Sequence, residues 1–368
     1  MAALPKYANL IVDYSIGVKE DMEVLISAEL TAAPLVREVY REVLRRNAYP
    51  TPLYRDDLLS EIFYLEANEK QLEHVTPVLE TVYEKYDASI SILSSIHTKP
   101  LIGIDPKKMA TARRAIAPLF QKFLEQAARG ERKWTVAPYP TLALAQEASM
   151  RPLEFEEFVY RAVKLHTPDP VKAWKEQAEK QERVINEILS RAGELKFEGP
   201  GIDLTVNVAG RTWISDDGHE NMPGGEVFTG PHEDGVDGCV EFDMPQVYSG
   251  VEVEGVKLCF KNGVLVEYTA SKGRDFLEKM VNLDEGAKRL GELAFGLNYD
   301  VDRQTKEILF DEKIGGTIHM ALGNGYPETG SVNRSAIHWD MIKSMWKGRV
   351  YADGDLVYEN GYFINWNQ

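Results

Sequence analysis

The chain has 368 residues, 44% of them hydrophobic and 27% charged, with 58 acidic against 42 basic side chains and a net charge of −16. That length is more than one core usually serves, so two domains are expected. The acidic balance argues against nucleic acid or an anionic membrane as a partner, because both select basic surfaces, and it favours a cavity that attracts cations. Cys239 and Cys259 are the only cysteines. They form no disulfide framework and no Cys-x-x-Cys pair, a usage that suits a reducing compartment. The opening apolar run is broken by Lys6 and Asp13, and no run approaches the roughly 20 residues of a membrane span. A cytoplasmic protein is expected.

In chain order, residues 6–15 are predicted as a short helix ending near Gly17, and Met22 to Ser27 as a buried strand. Thr31 is predicted to cap a helix over 33–46, where Leu35, Val36, Val39, Tyr40, Val43 and Leu44 recur at helical spacing. A second strand covers Pro52 to Arg55, and helices follow over 57–67 and 71–85. Ala88 to Ser94 is the third strand, Asp105-Pro106 opens a helix through Ala128, and Trp134 to Pro138 is the fourth strand. Strands alternating with amphipathic helices imply an α/β domain with a parallel, helix-flanked sheet. Neither Gly-x-Gly-x-x-Gly nor Gly-x-x-x-x-Gly-Lys occurs here, so a nucleotide site has little support. His74, His97 and His166 stand apart from any carboxylate-rich motif and are read as surface or structural residues.

Residues 170–193 form a charged helical run with a narrow apolar stripe of Val171, Trp174, Ala178, Val184 and Ile188. Its end, near residue 190, is the expected boundary between an N-terminal domain, 1–190, and a C-terminal domain, 191–368. Beyond it, stretches such as Lys196 to Val208 and Val253 to Tyr268 alternate like strands, with Asn262-Gly263 as a hairpin signal. Asp284 is predicted to open one helix through Phe295. The second domain is thus expected to be α+β with mostly antiparallel strands.

Three stretches could carry chemistry. In the first, His319 and His338 each follow an isoleucine on a strand-like segment, and Gly323, Gly325, Pro327 and Gly330 lie between them. Asp340 shares a strand face with His338. The pattern is the start of a metal site, or else two hydrogen-bonded core histidines beside a turn. In the second, Pro223-Gly224-Gly225 precedes Glu226, which is either a hard ligand at the mouth of a tight turn or a solvent-facing glutamate. In the third, Glu292 lies in the predicted helix, on a different surface from Leu290, Ala287 and Ala294, with Gly291 beside it permitting close approach of another element. An ordinary exposed glutamate is the competing reading. His-Glu-x-x-His and Gly-x-Ser-x-Gly are both absent. Asp216 to Asn221 lacks the pattern of an EF-hand loop, and His219 and His232 are read as second-tier or surface residues.

Four motifs in a fixed order carry a family resemblance. They are Asn221-Met-Pro-Gly-Gly-Glu226-Val-Phe-Thr, Glu285-Gly-Ala-Lys-Arg-Leu-Gly-Glu292-Leu-Ala, Ile318-His319-Met-Ala-Leu-Gly-Asn-Gly-Tyr326 and Ile337-His338-Trp-Asp340-Met-Ile. With the opening Lys6-Tyr-Ala-Asn-Leu-Ile-Val, the chain resembles the aminopeptidase T family of metalloaminopeptidases, which includes aminopeptidase S and PepS. The resemblance implies metal ligation by Glu226, Glu292, His319, Tyr326, His338 and Asp340, with Glu292 and Tyr326 also serving catalysis. It implies two divalent ions per subunit, zinc or cobalt first and magnesium or manganese as further candidates. It also implies a homodimer, and removal of single residues from peptides with a free N-terminus. In such a reaction the ions acidify a shared water, and Tyr326 ligates or donates to the oxyanion. The alternatives are a noncatalytic metal- or peptide-binding homologue on the same scaffold, and another metal-dependent amide hydrolase.

Overall fold

In the computed structural model, which describes residues 3–364 and 366, the N-terminal half is built on four parallel strands. These are β1 (Glu23–Glu29), β2 (Tyr49–Arg55), β3 (Ala88–Leu93) and β4 (Lys133–Pro138), in the order β2-β1-β3-β4. β1 is central, pairing Ile26 with Pro52 on one side and with Ile90 on the other. It is buried from Val24 onward, as expected of a parallel strand covered on both faces. Helix α1 (Ala3–Asn9) runs into a π-helical segment, Leu10–Ile16, that ends at Gly17 in the left-handed conformation.

Helix α2 (Ala33–Arg45) packs Leu35, Val36, Val39 and Val43 inward over β1 and β2. Thr31 does not cap it. The residue sits in a 3-10 turn, and its hydroxyl instead donates to the Ser94 carbonyl, tying the ends of β1 and β3 together. Helix α3 (Asp57–Glu66) follows as expected. The single helix expected over 71–85 is two, α4 (Glu69–Leu72) and α5 (Pro77–Glu84), because Thr76-Pro77 starts a new helix with its own cap. Helices α6 (Pro106–Ala128), α7 (Leu142–Glu147) and α8 (Pro152–Ala162) complete this half.

The chain divides into two compact units, one running up to Val171 and including Gly218–Met222, the other comprising Lys172–Asp217 and everything from Pro223. This division falls at the start of helix α9 (Pro170–Glu187), whereas the charge pattern suggested its end. Polar side chains on α9 account for the difference. Gln177 donates to the Leu297 carbonyl, and Gln181 donates to the carbonyls of Asp216 and Glu226.

The second unit is antiparallel. One sheet has eight strands, in the order β13-β12-β9-β6-β5-β17-β18-β19. These are β5 (Glu194–Gly199), β6 (Ile202–Asn207), β9 (Val236–Glu241), β12 (Lys257–Lys261), β13 (Val264–Thr269), β17 (Arg349–Ala352), β18 (Asp355–Glu359) and β19 (Tyr362–Phe363). The Asn262-Gly263 hairpin joins β12 to β13, with both residues at positive φ. The second sheet has five strands, in the order β16-β15-β14-β8-β7: β7 (Ile214–Asp216), β8 (Glu226–Thr229), β14 (Leu290–Gly296), β15 (Thr317–Gly323) and β16 (His338–Ser344). A small ribbon of β10 (Gln246–Tyr248) and β11 (Val251–Val253) and two helices, α10 (Arg274–Val281) and α11 (Ile308–Asp311), complete the unit. The core is aromatic at its centre: Phe295 lies 6.0 Å from Phe197, 5.5 Å from Tyr358 and 4.9 Å from Phe363.

Two sequence expectations need correction. Cys239 and Cys259 stand directly opposite each other on β9 and β12, and their sulfurs are bonded. The antiparallel register brings their Cα atoms within 4.1 Å, which the residue count alone gave no reason to expect. The helix predicted from Asp284 through Phe295 is a short 3-10 turn, Gly286–Lys288, followed by strand β14. Every residue of β14 is buried, and a strand apolar on both faces has no period of 2 to separate it from a helix. Among the described residues, no helix is long and apolar enough to cross a membrane.

Candidate metal centre

The register of the five-stranded sheet decides which side chains meet. Residues directly opposite each other on neighbouring strands share a face. Gly296 pairs with Glu226, Ala294 with His319, Glu292 with Ala321, Ala321 with Asp340, and Gly323 with His338. Glu226, Glu292, His319, His338 and Asp340, from four strands, therefore project from one face. The intervening positions on that face include Ala294, Gly296, Ala321 and Gly323, small residues that leave the polar groups room to converge.

A bulge sets Glu292 into this row. Between Leu290 and Glu292 the register shifts by one residue, with Gly291 as the extra one, so Glu292 rather than Gly291 lies opposite Ala321. A Cβ at Gly291 would fall 2.3 Å from the Asn324 carbonyl oxygen and 2.4 Å from that of Gly323. The close approach expected from the sequence is present, on a strand rather than a helix. Gly291→Ala is expected to destabilise the fold by about 2–3 kcal/mol through overpacking, read as a lower urea midpoint with unchanged slope.

The donors form three overlapping groups, each with its atoms within 4.8 Å of one another: Glu226, Glu292 and His319; Glu292, His338 and Asp340; and Glu312, His319 and Asp340. Glu292 lies at the junction. Its Oε1 is 3.2 Å from His319 Nε2, and its Oε2 is 3.3 Å from His338 Nε2. Glu226 Oε2 is 3.3 Å from His319 Nε2, and Asp340 Oδ2 is 3.4 Å from His338 Nε2. Glu226 is only 4% exposed, Glu292 also 4% and His319 0%, so neither glutamate is the solvent-facing residue that the alternative readings allowed. His338 Nδ1 lies 2.7 Å from the Asn324 carbonyl. A carbonyl can only accept, so Nδ1 carries a proton, and Nε2 faces the carboxylates: protonated it donates to them, and deprotonated it would offer its lone pair to a metal.

Charge and burial compete at every group. Burial alone would depress the His319 imidazole, but Glu226 and Glu292 reverse this and lift it to about 9. His338 is likewise lifted well above its ordinary value, burial being outweighed by Asp340 and Glu292. Burial works to raise the Glu292 carboxyl, yet hydrogen bonds with His319 and His338 hold it at about 2. Burial pushes Glu226 up to about 8, against the pull of Lys313 and His319.

Tyr326 borders the cluster, with 41% of its surface exposed. Its ring stands edge-on to His338 at 5.1 Å and lies 5.5 Å from Phe228. Burial around the phenol raises its pKa above the tyrosine value. The Tyr326 carbonyl accepts from the Thr329 hydroxyl and amide, which closes the turn that brings the ring back to the cluster.

Neither His219 nor His232 joins these groups. His219 packs against Tyr14 with ring centroids 4.7 Å apart, and His232 Nε2 contacts the Ala209 carbonyl. Glu312 does join, and sequence reading did not single it out. It follows α11, where the Asp311 carboxylate accepts from the amides of Thr305 and Lys306 and fixes the turn. Phe310-Asp-Glu-Lys313, three consecutive charges in an apolar setting just ahead of the His319 strand, was the available signal.

This donor set suits a divalent cation. Buried Glu226 Oε2 and Asp340 Oδ1 accept no hydrogen bond, a costly state for carboxylate oxygens unless a cation takes them. Imidazole nitrogen with several carboxylates fits zinc, cobalt or manganese better than calcium.

Comparisons with known proteins agree with this chemistry. Aminopeptidase 2 of Geobacillus stearothermophilus is 29% identical, over 92% of this chain and 91% of its own. Aminopeptidase T of Thermus thermophilus is 29% identical over 97% and 95%, and aminopeptidase PepS of Streptococcus thermophilus 27% over 98% of each. The solved structure of wild-type AmpT from Thermus thermophilus superposes with a TM-score of 0.84 at 26% identity, covering 99% of both chains. The family model for thermophilic metalloproteases of the M29 group matches residues 1–363. The chain therefore belongs to the M29 family of thermophilic metalloproteases, enzymes that hydrolyse peptides and depend on a divalent metal.

Proposed function

We propose that the protein is an aminopeptidase holding two divalent ions, zinc or cobalt first among the candidates, through Glu226, Glu292, His319, His338 and Asp340, with Glu312 beside them. The observation that carries the reading is Glu292. Its two oxygens face two different histidines, in two different donor groups, the arrangement required of a carboxylate shared by a metal pair. When bound, such a pair supplies Lewis acidity to the scissile carbonyl and acidifies a water. The protein's residues do the rest. Glu226, Glu312 and Asp340 supply the negative charge that would hold the pair, and a carboxylate oxygen left unused by the ions would accept from a substrate ammonium group, which favours peptides with a free N-terminus. Tyr326, at the edge of the cluster, would either donate a hydrogen bond to the developing oxyanion or ligate an ion as a phenolate, since a bound cation lowers a phenol's pKa. His338, held by Asn324, keeps a fixed ring orientation while its Nε2 faces Glu292 and Asp340. The same proposal includes a homodimer, for which light scattering should give twice the chain mass of 41.5 kDa.

An aminoacyl p-nitroanilide tests the reading directly. With zinc or cobalt added, the free-amine substrate is expected to turn over, and its N-acetylated form to react at least about a hundredfold more slowly. Chelation should abolish the activity and the metal restore it. Equal cleavage of both substrates would instead identify an amidase, and metal binding without turnover a binding protein.

A further inference from the structure

Lys313 has no solvent exposure, and the mechanism above gives it no part. Its Nζ is 2.8 Å from Asp216 Oδ2, 2.6 Å from Glu226 Oε1 and 3.0 Å from Glu312 Oε2. Its main chain is fixed too, the carbonyl accepting from the Asn298 amide at 3.0 Å. Glu226 is thereby divided: Oε1 belongs to the ammonium, while Oε2 points to His319 and accepts no hydrogen bond. Glu312 also serves both groups, with a donor atom within 4.8 Å of those of His319 and Asp340.

An ammonium buried among carboxylates that also line a cation site competes with the cation for their charge. Asp216, Glu226, Glu292, Glu312 and Asp340 with Lys313 make five carboxylates to one ammonium, a surplus of four negative charges. Two divalent ions match that surplus. Without Lys313 the cluster would hold more charge than the pair can neutralise, and Glu226 would be free to use both oxygens.

We propose that Lys313 is a fixed countercharge of the metal centre, a positioning residue that confines Glu226 to one-oxygen ligation and limits how tightly divalent ions are held. This rests on the metal-centre reading. It differs from a purely structural ion pair in the sign of its effect, since removing a structural support loosens the metal whereas removing a competing cation tightens it. Asp216 acts in the opposite direction. It absorbs part of the ammonium's charge, so neutralising it leaves more of that charge on Glu226 and Glu312.

The test measures zinc affinity by competition with a chromophoric chelator, on the full chain, for wild type, Lys313→Gln, Lys313→Met and Asp216→Asn. Both Lys313 variants are expected to bind zinc about tenfold more tightly or better, and Asp216→Asn about tenfold more weakly. Lys313→Gln keeps a hydrogen-bond donor among the carboxylates, so it decides the matter if Lys313→Met does not fold. Melting of the chelator-treated proteins is the structural readout: a lower melting temperature in Lys313→Gln together with tighter zinc is the expected combination. Weaker or unchanged zinc binding in Lys313→Gln overturns the proposal. Wild-type protein that shows no saturable zinc binding in the competition titration overturns the metal-centre reading itself, and the proposal with it.

Discussion

Glu292→Ala is expected to lose metal on gel filtration and at least about a thousandfold in kcat/KM. Glu292 is the only residue shared by the two donor groups that contain Glu226 and His338 respectively. Its loss therefore removes a ligand from each group at once. A bound metal is worth several kcal/mol to transition-state stabilisation, and each 1.36 kcal/mol is tenfold in rate. The fold should survive in the metal-free state, because the substitution removes a carboxylate held among groups that repel it as well as groups that attract it, and the Ala294 to Ala321 surface beneath stays packed. Metal content by mass spectrometry and far-UV circular dichroism separate the two effects. A Glu292→Ala protein that keeps its full metal complement and activity would remove Glu292 from the centre.

The second large effect is on pH. In the metal-free protein His319 titrates at about 9, and His338 well above the ordinary histidine range. Each ion must displace the proton of its own histidine to bind, so the affinity at each position should rise by up to about tenfold per pH unit below these values. The stability of the metal-free fold should move the other way. A histidine lifted from 6.5 to about 9 contributes stability that is complete below pH 6.5 and lost as pH rises through 9. Glu226, raised to about 8 by burial, costs stability increasingly as pH rises from 4.5 to 8. Glu292, held at about 2, contributes stability present above pH 4.5 and lost as pH falls toward 2. The metal-free protein should therefore melt highest near pH 5 and lower toward pH 9, by a few kcal/mol, while the zinc-loaded protein gains over the same range. Melting curves with and without chelator should converge toward pH 5 and separate toward pH 9; curves a constant distance apart would contradict the assignment of both histidines as ligands.

Much of this was legible in the sequence, for physical reasons that can be named. The parallel half announces itself because strands such as Ala88 to Leu93 alternate with helices whose caps and apolar stripes are local features. His338 and Asp340 were placed on one face by strand alternation alone. Glu292 was misplaced onto a helix because β14 is buried on both faces and its leucines and alanines satisfy either period. Thr31 looked like a cap until Ser94, far along the chain, offered its carbonyl. Asp216, Glu312 and Lys313 were missed for a related reason: Lys313 meets Glu226 across 87 residues of sequence, and a single charge has no periodicity to reveal such a contact. The cross-strand disulfide likewise depends on the pairing of β9 with β12, which no local signal encodes.

The donors are dispersed over four strands, with β14 between β8 and β15, and this has a consequence for the order of events when the chain folds. No single strand carries more than two of them, so a nascent or unfolded chain has no preformed set of three ligands to seize an ion and nucleate around it. Capture must wait until β14 has zipped to both neighbours, which are non-local pairings and slow to close. An ion held by these donors would arrive last, on a finished surface, unlike a structural zinc that a small domain needs in order to fold at all. During refolding, zinc uptake should therefore lag the recovery of β-sheet signal, and it would serve as a clock for completion of the five-stranded sheet.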